Sequence, residues 1–142
     1  MSTKIVPLAD DEAPRPLLPE GWLRPRGYSN GMSAKGRLVV TGGVVGWDLM
    51  GKFPADFVAQ TRQTFENIVA ILAAGGAEPK HLVRLTWYVT DIEAYATNLR
   101  EIGAAYRDAF GANYPAMAVV QVVRLVEPAA KIEIEATAVV AE

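Results

Sequence analysis

Residues 114–139 read YPAMAVVQVVRLVEPAAKIEIEATAV, and this stretch decides the architecture. It holds two strands, near 116–124 and 131–140, with a short turn between them. In the second, Ile132, Ile134, Ala136, Ala138 and Val140 alternate with Lys131, Glu133, Glu135 and Thr137. That period of two marks a strand with one buried face. The first is apolar on both sides: Met117, Val119 and Val123 lie on one, Ala118, Val120 and Val122 on the other.

Working back from this pair, residues 92–110 form a helix. Tyr95, Leu99, Ile102 and Tyr106 make its stripe, Thr90 and Glu93 have the spacing of a capping box, and Gly111 closes it. Before it, VRLTWYVT (83–90) alternates, with Val83, Leu85, Trp87 and Val89 on one side and Arg84, Thr86, Tyr88 and Thr90 on the other. A first helix carries Val58, Thr61, Phe65, Ile68 and Leu72 at spacings of three and four. Pro54 suits its first turn and Gly75–Gly76 its end. Val39–Val45, bent at Gly42–Gly43, reads as a strand, and Gly31–Lys35 before the Gly36–Arg37 turn as its hairpin partner. Residues 1–26, rich in proline and charge, read as an arm and 27–142 as the domain.

The order is β-β-α-β-α-β-β. Two helical stripes bury against one face of one sheet, which predicts a two-layer α+β domain with a mixed sheet. The other face keeps its apolar residues, and a surface of that kind is a candidate interface.

The chain has 142 residues, the length of one domain able to bury roughly 68–70% of its unfolded surface. With no cysteine it has no disulfide, thiol nucleophile or thiolate metal site. No apolar run approaches the ~20 residues of a membrane span, and the N-terminus lacks an apolar signal core, so a cytoplasmic location is expected. A net charge of −2 disfavours nucleic acid as a partner. No histidine–carboxylate cluster has metal-ligand spacing and no glycine-rich phosphate loop precedes a helix, so neither metal nor cofactor is expected.

Pro115-Ala116, Arg124-Leu125 and Lys131–Ala136 together resemble the C-terminal signature of the Rid family (RidA/YjgF-like proteins, once called translation inhibitors or L-PSP endoribonucleases). Tyr28-Ser29 in RGYSN, Thr41-Gly42-Gly43, the helix AQTRQTFENIVAILAAGGA and VRLTWYVTD extend the likeness over about residues 26–140. It implies a chorismate-mutase-like fold and a homotrimer with a small-molecule metabolite pocket at each subunit interface. It also implies deamination of a 2-imino or 2-enamino acid, with an arginine fork on the carboxylate and a glutamate positioning water. The glutamate corresponds to Glu133 and a site-closing tyrosine to Tyr28. The arginine position is Met117, a bend serine becomes Gly42, the following glutamine becomes Val44, and a helix asparagine matches Gly103.

Three functions follow as expectations. The first is a deaminase or hydrolase with an altered substrate, using Glu133 as base, Tyr28 and a backbone amide near Gly43. Its anion would be absent, displaced, or held by Arg26, Arg84 or Arg124. The second is a binding module with a more apolar pocket, in which Met117 simply packs. Ribonuclease action comes last, since no arginine-rich or aromatic-basic patch exists to hold phosphate. His81, the single histidine, has no evident carboxylate or hydroxyl partner.

Overall fold

The computed structural model describes residues 13–142. A short strand β1 (Arg15–Leu17) pairs antiparallel with β2 (Gly31–Ser33). The main sheet contains β3 (Arg37–Val40), β4 (Val44–Val45), β5 (Leu82–Val89), β6 (Ala116–Gln121) and β7 (Ile132–Val140). Its order is β3-β7-β5-β6, with β4 also on β7. The β5–β6 pair is parallel and the others antiparallel, so the sheet is mixed as expected. Among the described residues, the helices are α1 (Phe57–Ala74), α2 (Ile92–Thr97) and α3 (Leu99–Phe110).

The expected hairpin between Gly31–Lys35 and the 39–45 strand does not form. Residues 31–33 pair instead with 15–17, so part of the proline-rich segment is knitted into a ribbon. At Gly36 the chain crosses the end of β7, where a Cβ would lie 2.1 Å from the Val140 carbonyl oxygen. Only glycine fits that approach, and the chain runs on into β3 beside β7 rather than turning back. The bend at Gly42–Gly43 splits the edge strand into β3 and β4. Thr41 bridges the split: its N–H donates to the Ala136 carbonyl at 2.9 Å and its Oγ1 accepts from the Ala136 N–H at 3.0 Å.

Two helix starts differ from expectation because a nearby aspartate caps better. Asp56, not Pro54, starts the first helix; its side chain accepts from the Ala59 N–H. Asp91, not Thr90, caps α2 by accepting from the Glu93 N–H. The expected 92–110 helix is divided at Asn98, whose Nδ2 donates to the Ala94 carbonyl at 2.7 Å. Gly75, Gly76 and Gly111 end their helices as the sequence indicates.

The core lies between the helices and one sheet face. Phe65 is its hub, fully buried, with ring centroids of Phe110, Trp87 and Tyr106 at 5.0, 5.4 and 5.7 Å. Leu85, Val89, Ile132, Ile134, Ala136 and Ala138 close it from the sheet. The opposite face carries Arg84, Thr86 and Tyr88 beside Glu133, Glu135 and Thr137, and no helix among the described residues covers it. Leu38, Val40 and Val120 are exposed.

Candidate functional site

A cleft of about 370 Å³ opens on the helix side of the sheet edge, between β6, α2 and α3. Met117 and Val119 form one wall, and Leu99, Ile102 and Gly103 the other. Trp87, Tyr95 and Tyr106 form the floor, where Trp87 and Tyr95 meet edge to face at 5.8 Å. Tyr106 stacks on Tyr114 at 5.2 Å with 13° between planes.

Tyr28 reaches the rim through its neighbour. The Ser29 N–H donates to the Pro115 carbonyl at 2.9 Å, its Oγ donates to the Tyr114 carbonyl at 2.5 Å, and Ser29 bridges Ala116 in parallel register. This staple lays the RGYSN segment along the start of β6, putting Tyr28 and Arg26 on the same cleft as Met117.

The cleft's electrostatics are one-sided. Arg26 and Arg107 line it, and no carboxylate or histidine among the described residues does. Neither guanidinium has a hydrogen-bond or ion-pair partner among the described residues. Burial pushes the Tyr95 phenol up, and burial followed by the Tyr114 charge raises that of Tyr106 still further. Tyr106 also donates to the Asn113 carbonyl at 2.5 Å. Both stay protonated at neutral pH, so neither supplies a phenolate base. The buried Trp87 Nε1–H has no acceptor among the described residues.

Glu133 is elsewhere. Met117 registers with Leu85, and Leu85 with Ala136, all toward the helices. Glu133 registers with Tyr88 and Val45 and alternates with the buried Ile132 and Ile134. The two residues therefore sit on opposite faces of one protomer's sheet. Gly43 backs Glu133 closely: a Cβ there would lie 2.6 Å from the Glu133 carboxyl carbon. Any larger residue at 43 would push that carboxylate aside. Gly42 has open space around it. Arg84 lies exposed on the uncovered face and Arg124 in the exposed loop after β6, and neither lines the cleft.

Glu135, two residues along β7, is occupied. Tyr88 Oη donates to it at 2.5 Å, and that bond raises the Tyr88 phenol's pKa, with smaller contributions from burial and the charges of Glu135 and Glu133. His81 is also occupied: its Nδ1 accepts from the Glu78 N–H at 2.9 Å and shapes a helical turn. Among the described residues, no group of three or more histidines, aspartates or glutamates could hold a metal, and no helix is long and apolar enough to cross a membrane.

Residues 23–140 match the family model described as endoribonuclease L-PSP. The chain belongs to the Rid (YjgF/L-PSP) family. The 2-iminobutanoate/2-iminopropanoate deaminase of Escherichia coli K12 is 35% identical over 115 residues, 79% of this chain and 86% of that protein. A Rid protein of unknown function from Yersinia pestis superposes with a TM-score of 0.79 at 32% identity, covering 91% of this chain and all of that one. Escherichia coli TdcF, solved with bound serine, gives 0.66 at 35% identity, covering 84% and 91%.

For this Rid protein the sequence pointed to Arg26, Tyr28, Gly103 and Met117, which line the cleft, and to Glu133, Gly42, Gly43, Arg84 and Arg124, which do not. It missed Arg107 and treated Tyr95, Leu99, Ile102 and Tyr106 only as a packing stripe. The one signal that could have found Arg107 is its place four residues after Gly103, on the same helix face.

Proposed function

We propose that this Rid protein is a homotrimer that hydrolyses an imine or enamine metabolite other than the simple 2-imino acids, in clefts completed by a neighbouring subunit. The observation that carries this is the split site. Tyr28 and Met117 line a cleft at the sheet edge, while Glu133 stands on the uncovered face of the same sheet. A neighbour's sheet face against that edge would add the missing carboxylate. Glu133 then positions water for attack on the imine carbon. The C–N bond breaks, nitrogen leaves as ammonia with protons drawn from the water, and a carbonyl remains. A binding module without catalysis is the second reading, favoured because no carboxylate or histidine among the described residues lines the protomer's own cleft.

The trimer itself is testable. Leu38, Val40 and Val120 expose apolar surface on the sheet and need a partner. Light scattering at micromolar concentration should give three times the chain mass of 15.3 kDa. A monomer would remove the basis for a shared site.

Activity tests the substrate. The Met117 thioether cannot pair with a carboxylate, and losing a charge-assisted fork costs about 1.5–3 kcal/mol. Freshly generated 2-iminobutanoate, which finds no fork at 117 and is too small to cover the cleft's apolar walls, should therefore be hydrolysed only weakly. Met117→Arg should raise affinity for pyruvate roughly 10- to 100-fold by restoring the fork. The change should cost about 1–3 kcal/mol in stability, because Met117 packs partly against the core and a new guanidinium joins Arg26 and Arg107. Calorimetry decides: a folded variant with no gain means position 117 does not meet the ligand.

A further inference from the structure

Resting on the reading of the Tyr28–Met117 cleft as the ligand site, we propose that it takes an organic carboxylate with an aromatic or branched apolar body, and that Arg107 binds the carboxylate. The apolar part follows from the walls. Trp87, Tyr95, Leu99, Ile102, Tyr114 and Met117 present rings and alkyl groups to a space of about 370 Å³. That is the small end of ligand cavities, enough for a metabolite built around one ring or branched chain. A two-carbon or three-carbon acid would leave most of these walls uncovered.

The anionic part follows from the arginines. Arg26 and Arg107 put two positive charges on the cleft of a chain whose net charge is −2, and among the described residues the same protomer brings no carboxylate to the lining. Asp108, next to Arg107, is taken by Arg62 at 2.9 Å. Of the two cations Arg107 is the better placed. A helical side chain lies back over the turn preceding its own Cα. For Arg107 that turn holds Gly103, where an added Cβ would sit 3.4 Å from Arg107 Nη1. The missing side chain at 103 leaves room for the guanidinium to rest against the helix at the cleft wall. Arg26 instead precedes Gly27, at φ +75°, in a loop. A fork held on a helix is better organised than one on a loop and suits bidentate contact with a carboxylate. Arg107 thereby sets the anion at the α3 side of the cleft, opposite the Met117 wall.

Calorimetry on the wild-type protein with three probes tests this: phenylpyruvate, pyruvate and the neutral ketone phenylacetone. Phenylpyruvate should bind more tightly than either of the others. Arg107→Ala should weaken phenylpyruvate roughly 10- to 100-fold while leaving phenylacetone unchanged. Arg107→Lys should recover part of the loss, since it keeps the charge without the fork. Gly103→Leu, which crowds the guanidinium, should imitate Arg107→Ala. Unchanged phenylpyruvate affinity in Arg107→Ala, or pyruvate binding as tightly as phenylpyruvate to wild type, overturns the proposal. Ammonia release from the imine of phenylpyruvate, followed in parallel, separates the two claims. Arg107-dependent binding without ammonia release defeats the deaminase reading and leaves the carboxylate site standing. Ammonia release with Arg107-independent binding does the reverse.

Discussion

Gln60→Leu should lower the unfolding free energy by about 2–4 kcal/mol, although leucine nearly matches glutamine in volume. Gln60 is buried inside the first turn of α1, and all of its polar atoms are used. Its Nε2 donates to the carbonyls of Pro54 at 2.9 Å and Ala129 at 3.1 Å, and its Oε1 accepts from the Lys131 N–H at 2.5 Å. Leucine would leave three part-buried backbone groups without partners, each costing about 1 kcal/mol, the low end of the range for a buried group, because Ala129 and Lys131 are exposed. Glycine at 46 leaves room for the Gln60 side chain: a Cβ there would come 2.5 Å from the Gln60 backbone carbonyl oxygen and 2.8 Å from its Cγ. The consequence reaches the site, because Lys131 leads directly into β7 and Glu133. Urea denaturation measures the loss as a shift in midpoint at constant slope. Gln60→Glu, which keeps an acceptor for Lys131 and removes both donors, should also destabilise. A loss under about 1 kcal/mol for Gln60→Leu would mean that water replaces the amide.

Gln60 also shows where sequence reading stops. A polar residue beside the Val58–Thr61–Phe65 stripe looks like the edge of a solvated face. Nothing local reveals that a turn seventy residues later needs its amide. The strands and helices were legible because each carries its own period, and Ile132 to Val140 declares a strand with no reference to its partners. Pairing was less legible. Gly31–Ser33 lies close in sequence to Arg37–Val40, yet each found a different neighbour, because Gly36 passes over the end of β7 instead of turning. The site suffered the same loss. Glu133 declares its face, opposite the buried Ile132 and Ile134, but Met117 lies in a strand that is apolar on both sides, so its face follows only from pairing with β5. Tyr28 was legible from the RGYSN segment, while its position depends on Ser29 bonding to residues 114–116.

Glu133→Gln should slow hydrolysis of whichever imine the protein accepts by roughly 100- to 10,000-fold, the range for removing a general base. The fold should persist, since the side chain is half-buried and glutamine is nearly isosteric. The structure separates Glu133 from its neighbour on the strand. Glu135 already accepts the Tyr88 phenol, whereas the Glu133 carboxylate has no hydrogen bond among the described residues and is free to take a proton from water. Glu135→Gln should therefore change the rate little, and the contrast between the two variants isolates the base from general charge loss on that face. Location adds a sharper test. If Glu133 serves a cleft built by another subunit, Tyr28→Phe and Glu133→Gln damage opposite sides of each shared site. Denaturing the two weakened variants together and refolding them should return activity that neither has alone, because some mixed interfaces pair an intact cleft with an intact carboxylate. If refolded mixtures stay as slow as the separate variants while each remains folded and oligomeric, both residues act within one protomer. The opposite-face placement of Met117 and Glu133 would then exclude Glu133 as the base.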